Sequence, residues 1–299
     1  MPKNNDYWKK RESEHLKLMQ KDEKILIKRL ESLYQTALKD IQNEINQFYI
    51  NYANKEKISM SDAIKKVNSH DVKAFSEKAK KYVKDRDFSP TANRELRLYN
   101  LTMKVSRLEL LKAQINLELL NMANATEKEI AKYLSSVTLT EYERQSGILG
   151  QTLDNNVDHI KKIVNASYLN ATFSERIWQN LDELRSTLTT TIKKSILQGK
   201  NPKTFASELM KRFDVSRANA ESILLTETAR IQAEVQTDSF IRAGYERYEY
   251  LAEIGACQKC AALDGKIFKL SEASYGVNLY PMHPHCRCST VPDYEKSKS

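Results

Sequence analysis

The sequence predicts a mainly α fold: long N-terminal helices and a helical bundle, followed by a small α+β C-terminal lobe. Three observations predict it. The chain has seven glycines, none before Gly147, and four of them fall between Gly244 and Gly276. Only Pro2 and Pro90 precede residue 200, so the first half carries almost no turn punctuation and reads as helix. All four cysteines lie between Cys257 and Cys288. The stretch Gln145-Ser146-Gly147-Ile148-Leu149-Gly150 is the best candidate hinge. It divides a helical region, 1–145, from a C-terminal domain, 146–299, whose small lobe covers about 245–292.

In chain order, the first helix is expected from about Asp6 to about Asn54. Leu26, Leu30, Leu33, Ala37, Ile41, Ile45, Phe48 and Tyr52 recur at steps of three and four, one amphipathic stripe. The first twenty residues are more polar and are expected to fray. Ser59 or Ser61 can cap a second helix through Ile64 and Val67, and a third runs from Asp71 to about Val83. Ser89-Pro90 opens a long helix to about Met122, with Pro90 at the first helical position. Its stripe is Leu101, Val105, Leu108, Leu111, Ile115 and Leu119. Thr126 opens another, with Glu129 completing a capping box.

Beyond the hinge, Ser174 is read as the cap of a helix through Ile177, Leu181, Leu184, Leu188 and Ile192, ending at Gly199. Asn201-Pro202 starts a short helix with Phe205, Leu209 and Met210; Ser216 begins one that stops at Gly244. The period then changes. From Tyr245 to Glu253, aromatic or apolar residues alternate with charged ones, the pattern of a half-buried strand. Asp264-Gly265 is a turn signal before a return strand at Lys266-Ile267-Phe268. Ser289-Thr290-Val291-Pro292 is expected to pair with these strands, and the tail from Glu295 to be disordered.

The C-terminal lobe gathers six candidate metal ligands: Cys257, Cys260, His283, His285, Cys286 and Cys288. A Cys-x-x-Cys pair presents two thiolates from one tight turn, and a second knuckle closes a tetrahedron around a zinc ion. Cys257 and Cys260 are the first pair. His283 and Cys286 have knuckle spacing, with Pro284 stiffening the turn; Cys288 is the first alternate and His285 the second. A closed shell of thiolates and imidazole leaves no position for water, so the zinc is structural and the protein is not expected to be an enzyme. The competing reading, two disulfides, belongs mainly to small secreted domains. The N-terminus Met1-Pro2-Lys3-Asn4-Asn5-Asp6 lacks the apolar region of a secretory signal.

Length and charge bound the rest. A chain of 299 residues holds one large or two ordinary domains. No apolar run approaches the ~20 residues that span a bilayer, so no membrane partner is expected. The net charge of +9 favours a polyanionic partner, but charge alone gives only sequence-independent, salt-sensitive binding. Basic and acidic residues also interleave along most of the chain, as on solvated helix faces.

The order of the pieces carries a resemblance. Arg217…Thr226-Glu227-x-x-Arg230 leads to a Tyr-rich strand, then Cys257-x-x-Cys260-x-x-Leu263-Asp264-Gly265-Lys266-x-Phe268, then Pro281-x-His283-Pro284-x-Cys286-Arg287-Cys288 and Val291-Pro292. From roughly Thr187 to Pro292 this resembles the Mu F-like head morphogenesis family of phage minor head proteins. The resemblance implies a minor capsid protein acting in procapsid assembly near the portal protein and the inner capsid or scaffold. It implies host cytoplasm during assembly and the virion interior afterwards, with sequence-independent contact to packaged or ejected double-stranded DNA. Members often keep His-x-x-Cys-Arg while replacing the final cysteine, which favours His283 and Cys286 over Cys288. Glu227 and Arg230 are expected to pair on one helix face, or Arg230 or Arg287 to reach a carboxylate elsewhere and fix the zinc lobe against the helices. Leu263 and Phe268 are expected in the core under the hairpin. Two other functions compete. One is a zinc-stabilised nuclease using His285, for which no Asp/His constellation for a hydrolytic ion is evident. The other is a zinc-dependent DNA-binding regulator, for which no recognition helix stands beside the zinc loop.

Overall fold

The computed structural model describes residues 5–53, 107–150, 157–197 and 202–293. Five of its helices come first in chain order: α1 (Asn5–Ala53), α2 (Arg107–Leu149), α3 (Val157–Val164), α4 (Phe173–Leu197) and α5 (Pro202–Arg242). Strand β1 (Arg247–Leu251), the short helix α6 (Gln258–Ala261), β2 (Ile267–Lys269), a 3-10 turn at Leu270–Glu272 and β3 (Ser289–Pro292) complete it. The protein is therefore mainly helical with one small sheet near the C-terminus, as the glycine distribution and the change of period imply. No described helix is long and apolar enough to cross a membrane. The helices placed at Ile64–Val67 and Asp71–Val83, the Ser89-Pro90 start and the tail from Glu295 lie outside the described residues.

Two compact units are interleaved along the chain. One comprises Met1–Arg29, Glu129–Arg176 and Ala220–Ser299; the other comprises Leu30–Lys128 and Ile177–Asn219.

The second unit is a helical core. Leu30, Ala37, Ile41 and Ile45 of α1 are buried as the stripe predicts, while Leu33 stays half-buried and Tyr34 and Leu38 are buried beside it. In α2, residues 115–120 are all buried. That segment is enclosed on every side, beyond the single stripe read from sequence. From α4, Ile177, Leu181, Leu184, Leu188 and Ile192 are buried. Buried Asn180 of α4 donates to the Ser216 carbonyl of α5 at 2.9 Å, and Trp178 donates its indole N–H to Glu127 of α2 at 3.1 Å. These bonds satisfy polar groups that the interior would otherwise leave unpaired. Met210 is 49% exposed and is not part of the core.

Three helix boundaries differ from the sequence reading. Helix α2 passes straight through Thr126, whose buried hydroxyl caps nothing. Helix α5 likewise passes through Ser216. In both places apolar neighbours on either side keep the helix packed, and packing outweighs a capping signal of about 1 kcal/mol. The cap of α4 is Thr172, not Ser174. Glu175 N–H donates to Thr172 Oγ1 at 3.2 Å and Thr172 N–H donates to Glu175 Oε2 at 2.7 Å, a reciprocal capping box. Helix α2 also runs through Gly147, and Gly150, at φ 68°, ends it with its N–H on the Ser146 carbonyl.

The first unit holds the sheet, of order β2-β1-β3 and antiparallel throughout. Tyr248 pairs with Phe268 on one side and Pro292 on the other, and Tyr250 pairs with Thr290. Tyr248 and Tyr250, two apart on β1, share its buried face. They meet Phe240 and Ala233 of α5, with Tyr280, Met282 and three cysteines, in one core cluster. Leu263 and Phe268 are partly buried against that cluster.

Candidate metal centre

Cys257 stands immediately before α6, in extended backbone, and Cys260 lies inside that single turn. The Ala261 N–H bonds back to the Cys257 carbonyl at 2.8 Å, so the Cys-x-x-Cys turn is closed by its own backbone. The second knuckle is closed in the same way: Cys286 N–H reaches the His283 carbonyl at 3.2 Å. His285, at the tip, takes a left-handed φ of 63° and donates its N–H to Thr226 Oγ1 of α5. Histidine is among the few non-glycine residues that adopt this conformation readily.

The two knuckles face each other. His283 Nε2 lies 3.4 Å from Cys257 Sγ and 3.3 Å from Cys260 Sγ. Cys260 Sγ lies 3.9 Å from Cys286 Sγ. All four cysteines are free thiols, three of them buried and Cys257 exposed. Among the described residues, Cys257, Cys260 and His283 form one group able to hold a metal ion; Cys260, Cys286 and Cys288 form another. Cys260 belongs to both. Cys286 thus joins the first three through Cys260, and the Cys288 thiol lies within 4.8 Å of both Cys260 and Cys286 in the second group. The His285 imidazole is in neither group, and the residue is exposed.

The electrostatics divide the thiols. Hydrogen bonding, from Cys288 first, holds Cys286 down at about 5 against its burial. The Cys260 backbone N–H lowers Cys257, with His283 adding to it. Burial, then Cys286, pushes Cys260 up to about 11, and Cys288 is raised by its hydrogen bond with Cys286 and by burial. The Pro284 carbonyl, 2.8 Å from His283 Nδ1, raises that imidazole and leaves Nε2 turned to the thiols. Thiolate and imidazole donors brought together this closely repel or protonate one another unless a cation sits among them.

The lobe is tied to α1 by charged contacts, of which sequence reasoning anticipated that Arg287 would reach a distant carboxylate but neither its partner nor the other two. Arg287 forks onto Glu23, Lys9 pairs with Asp264 at 2.5 Å, and Ser289 donates to Glu12 at 2.8 Å. The first twenty residues, expected to fray, are helical from Asn5 and held by these partners. Only their charge was visible in the sequence, with no sign of where it would be matched. Glu227 and Arg230 do pair, at 2.6 Å, both fully buried. Arg230 also donates to the Ile163 and Val164 carbonyls at the end of α3.

Residues 186–291 match the family model described as Phage Mu protein F like protein. Over this segment the chain is similar to the Mu F-like family. The match spans about a third of the chain and contains α5, the sheet up to Val291 and every candidate metal ligand. No curated protein and no solved structure matches the chain. Within the Mu F-like segment, Thr226, Glu227 and Arg230 face the interior rather than a cleft.

Proposed function

We propose that this chain is a phage minor capsid and head morphogenesis protein that acts in procapsid assembly beside the portal protein and the inner capsid or scaffold. It would work in the host cytoplasm during assembly and remain inside the virion. The observation that carries the reading is the coincidence of the Mu F-like match with the segment that builds the sheet and the thiol cluster.

In this reading the ion is zinc, held by Cys257, Cys260, His283 and Cys286, with Cys288 as the alternate. The residues fit it. A tetrahedral zinc about 2.3 Å from sulfur and about 2.0–2.1 Å from nitrogen sets donor–donor edges of roughly 3.5–3.8 Å. The 3.4, 3.3 and 3.9 Å separations among Cys257, Cys260, His283 and Cys286 lie close to that spacing. When bound, the ion supplies a cross-link between the two knuckles and no open coordination position. The chain does the rest: α6 and the His283–Cys286 turn position the donors, and the sheet and α5 exclude water from Cys260 and Cys286. The donors come from two separate turns that the ion joins, so ligation and folding of the lobe are coupled. A structural role without turnover is what this donor set supports. The net charge of +9 supports weak, sequence-independent contact with packaged DNA.

Metal analysis on a light-scattering column, followed by pull-down with the portal protein, tests the reading. One zinc per chain, lost in Cys257→Ser, together with portal co-purification is the expected result. A zinc-free protein with intact thiols overturns the metal assignment; zinc-loaded protein that ignores the portal ring and the scaffold overturns the assembly role.

A further inference from the structure

Tyr250, the fourth residue of β1, pairs with Thr290 on one side, donates its N–H to the Lys266 carbonyl on the other, and is fully buried. Its ring packs in the core cluster that contains Cys260, Cys286 and Cys288. Its hydroxyl is buried and makes no hydrogen bond. Tyr248, its neighbour on the same face, behaves differently: its hydroxyl donates to the Asn278 carbonyl at 3.2 Å. Burying a hydroxyl without an acceptor costs about 1–3 kcal/mol, and a group left so calls for a specific explanation, an absent ion or a functional role among them. The thiols of Cys260, Cys286 and Cys288 are polar groups buried with it in that cluster. A protonated thiol is a poor acceptor; a metal-bound thiolate carries negative charge and is a good one.

We propose that Tyr250 is a positioning residue of the metal centre, donating its O–H to a cysteine sulfur of the cluster, Cys288 or Cys260. The inference rests on the metal reading above and extends it to a residue outside the ligand set. The hydroxyl is carried on the central strand, paired on both sides. The donor is therefore held rigidly, and the sulfur it bonds is fixed in rotamer and loses part of its donor strength to the hydrogen bond. Groups that orient metal ligands in this way typically contribute roughly 10- to 100-fold to metal affinity.

The test uses the full chain and cobalt(II) as a spectroscopic stand-in for zinc, comparing wild type, Tyr250→Phe and Tyr248→Phe. The phenylalanine keeps the ring and removes only the donor. Tyr250→Phe is expected to keep sulfur-to-cobalt charge-transfer bands but move them to longer wavelength, because the released thiolate is more electron-rich. It is also expected to lose roughly 10- to 100-fold in zinc affinity by chelator competition. Tyr248→Phe, which removes a hydroxyl from the same strand face with a different partner, is expected to leave bands and affinity at wild-type values. Bands and affinity unchanged in Tyr250→Phe overturn this inference while leaving the metal reading intact. Equal shifts in both variants also overturn it, since the effect would then be general to the sheet. Wild-type protein without sulfur-to-cobalt bands removes the metal reading and this inference with it.

Discussion

Arg287 grips Glu23 with both ends of its guanidinium, 2.6 Å and 2.8 Å from the two carboxylate oxygens. Arg287 stands between the last two cysteines of the chain, and Glu23 is on the first helix. Both side chains are largely withdrawn from water, at 14% and 3% exposure. The pair therefore fixes the His283–Cys286 knuckle against α1 with bidentate geometry.

Removing one partner should be costly, since it leaves a largely buried charge without compensation. Glu23→Gln is expected to lower unfolding stability by on the order of 3 kcal/mol, and Arg287→Gln by a similar amount. Urea unfolding of both single variants and the double variant measures the coupling. Additive effects would mean the two side chains do not act as a pair.

Glu141 carries a pH dependence. Burial alone would raise its pKa, but Arg144, at 2.7 Å, and His15 more than offset that and hold it far below the ordinary carboxylate range. A carboxylate depressed in the folded state stabilises above its unfolded value, near 4.5, and that stabilisation is lost as pH falls toward the folded value. Urea midpoints measured from pH 6 down to pH 3 should therefore fall below about pH 4.5 more steeply in wild type than in Glu141→Gln. Equal slopes would assign the acid sensitivity to other groups.

Cys260 is the junction of the two ligand groups. Cys260→Ser should lose bound zinc and melt the C-terminal lobe at lower temperature, and a chelator should do the same to wild type. Cys288→Ser should retain zinc if Cys286 completes the shell. Zinc content by mass spectrometry of the native proteins separates the two, and loss in Cys288→Ser alone would promote Cys288 to the ligand set.

The Glu227–Arg230 pair is fully buried at 2.6 Å, and Arg230 also serves the two carbonyls at the end of α3. Arg230→Ala is expected to cost about 3–5 kcal/mol, leaving Glu227 charged and unpaired. Hydrogen exchange should show α3 amides losing protection first; uniform loss across the chain would argue against this local role.

Some of this was legible from the sequence because it depends on neighbours in the chain. Glycine scarcity before Gly147, and apolar steps of three and four, determined that the described N-terminal elements are helices. Alternation at Tyr245–Glu253 determined a strand, and the Cys-x-x-Cys and His-x-x-Cys spacings determined two tight ligand-bearing turns. Backbone periodicity and turn geometry are local, so a local pattern suffices. Only the tertiary structure decided that α2 and α5 continue through their apparent caps, because that depends on what packs around Thr126 and Ser216. Only it decided that polar residues of α1, from Lys9 to Glu23, are anchors rather than a frayed end. A charge carries no record in sequence of the partner it will meet hundreds of residues away. The same holds for Tyr250, an ordinary strand aromatic by pattern, which the pairing of β1 with two other strands aims at the cysteine cluster.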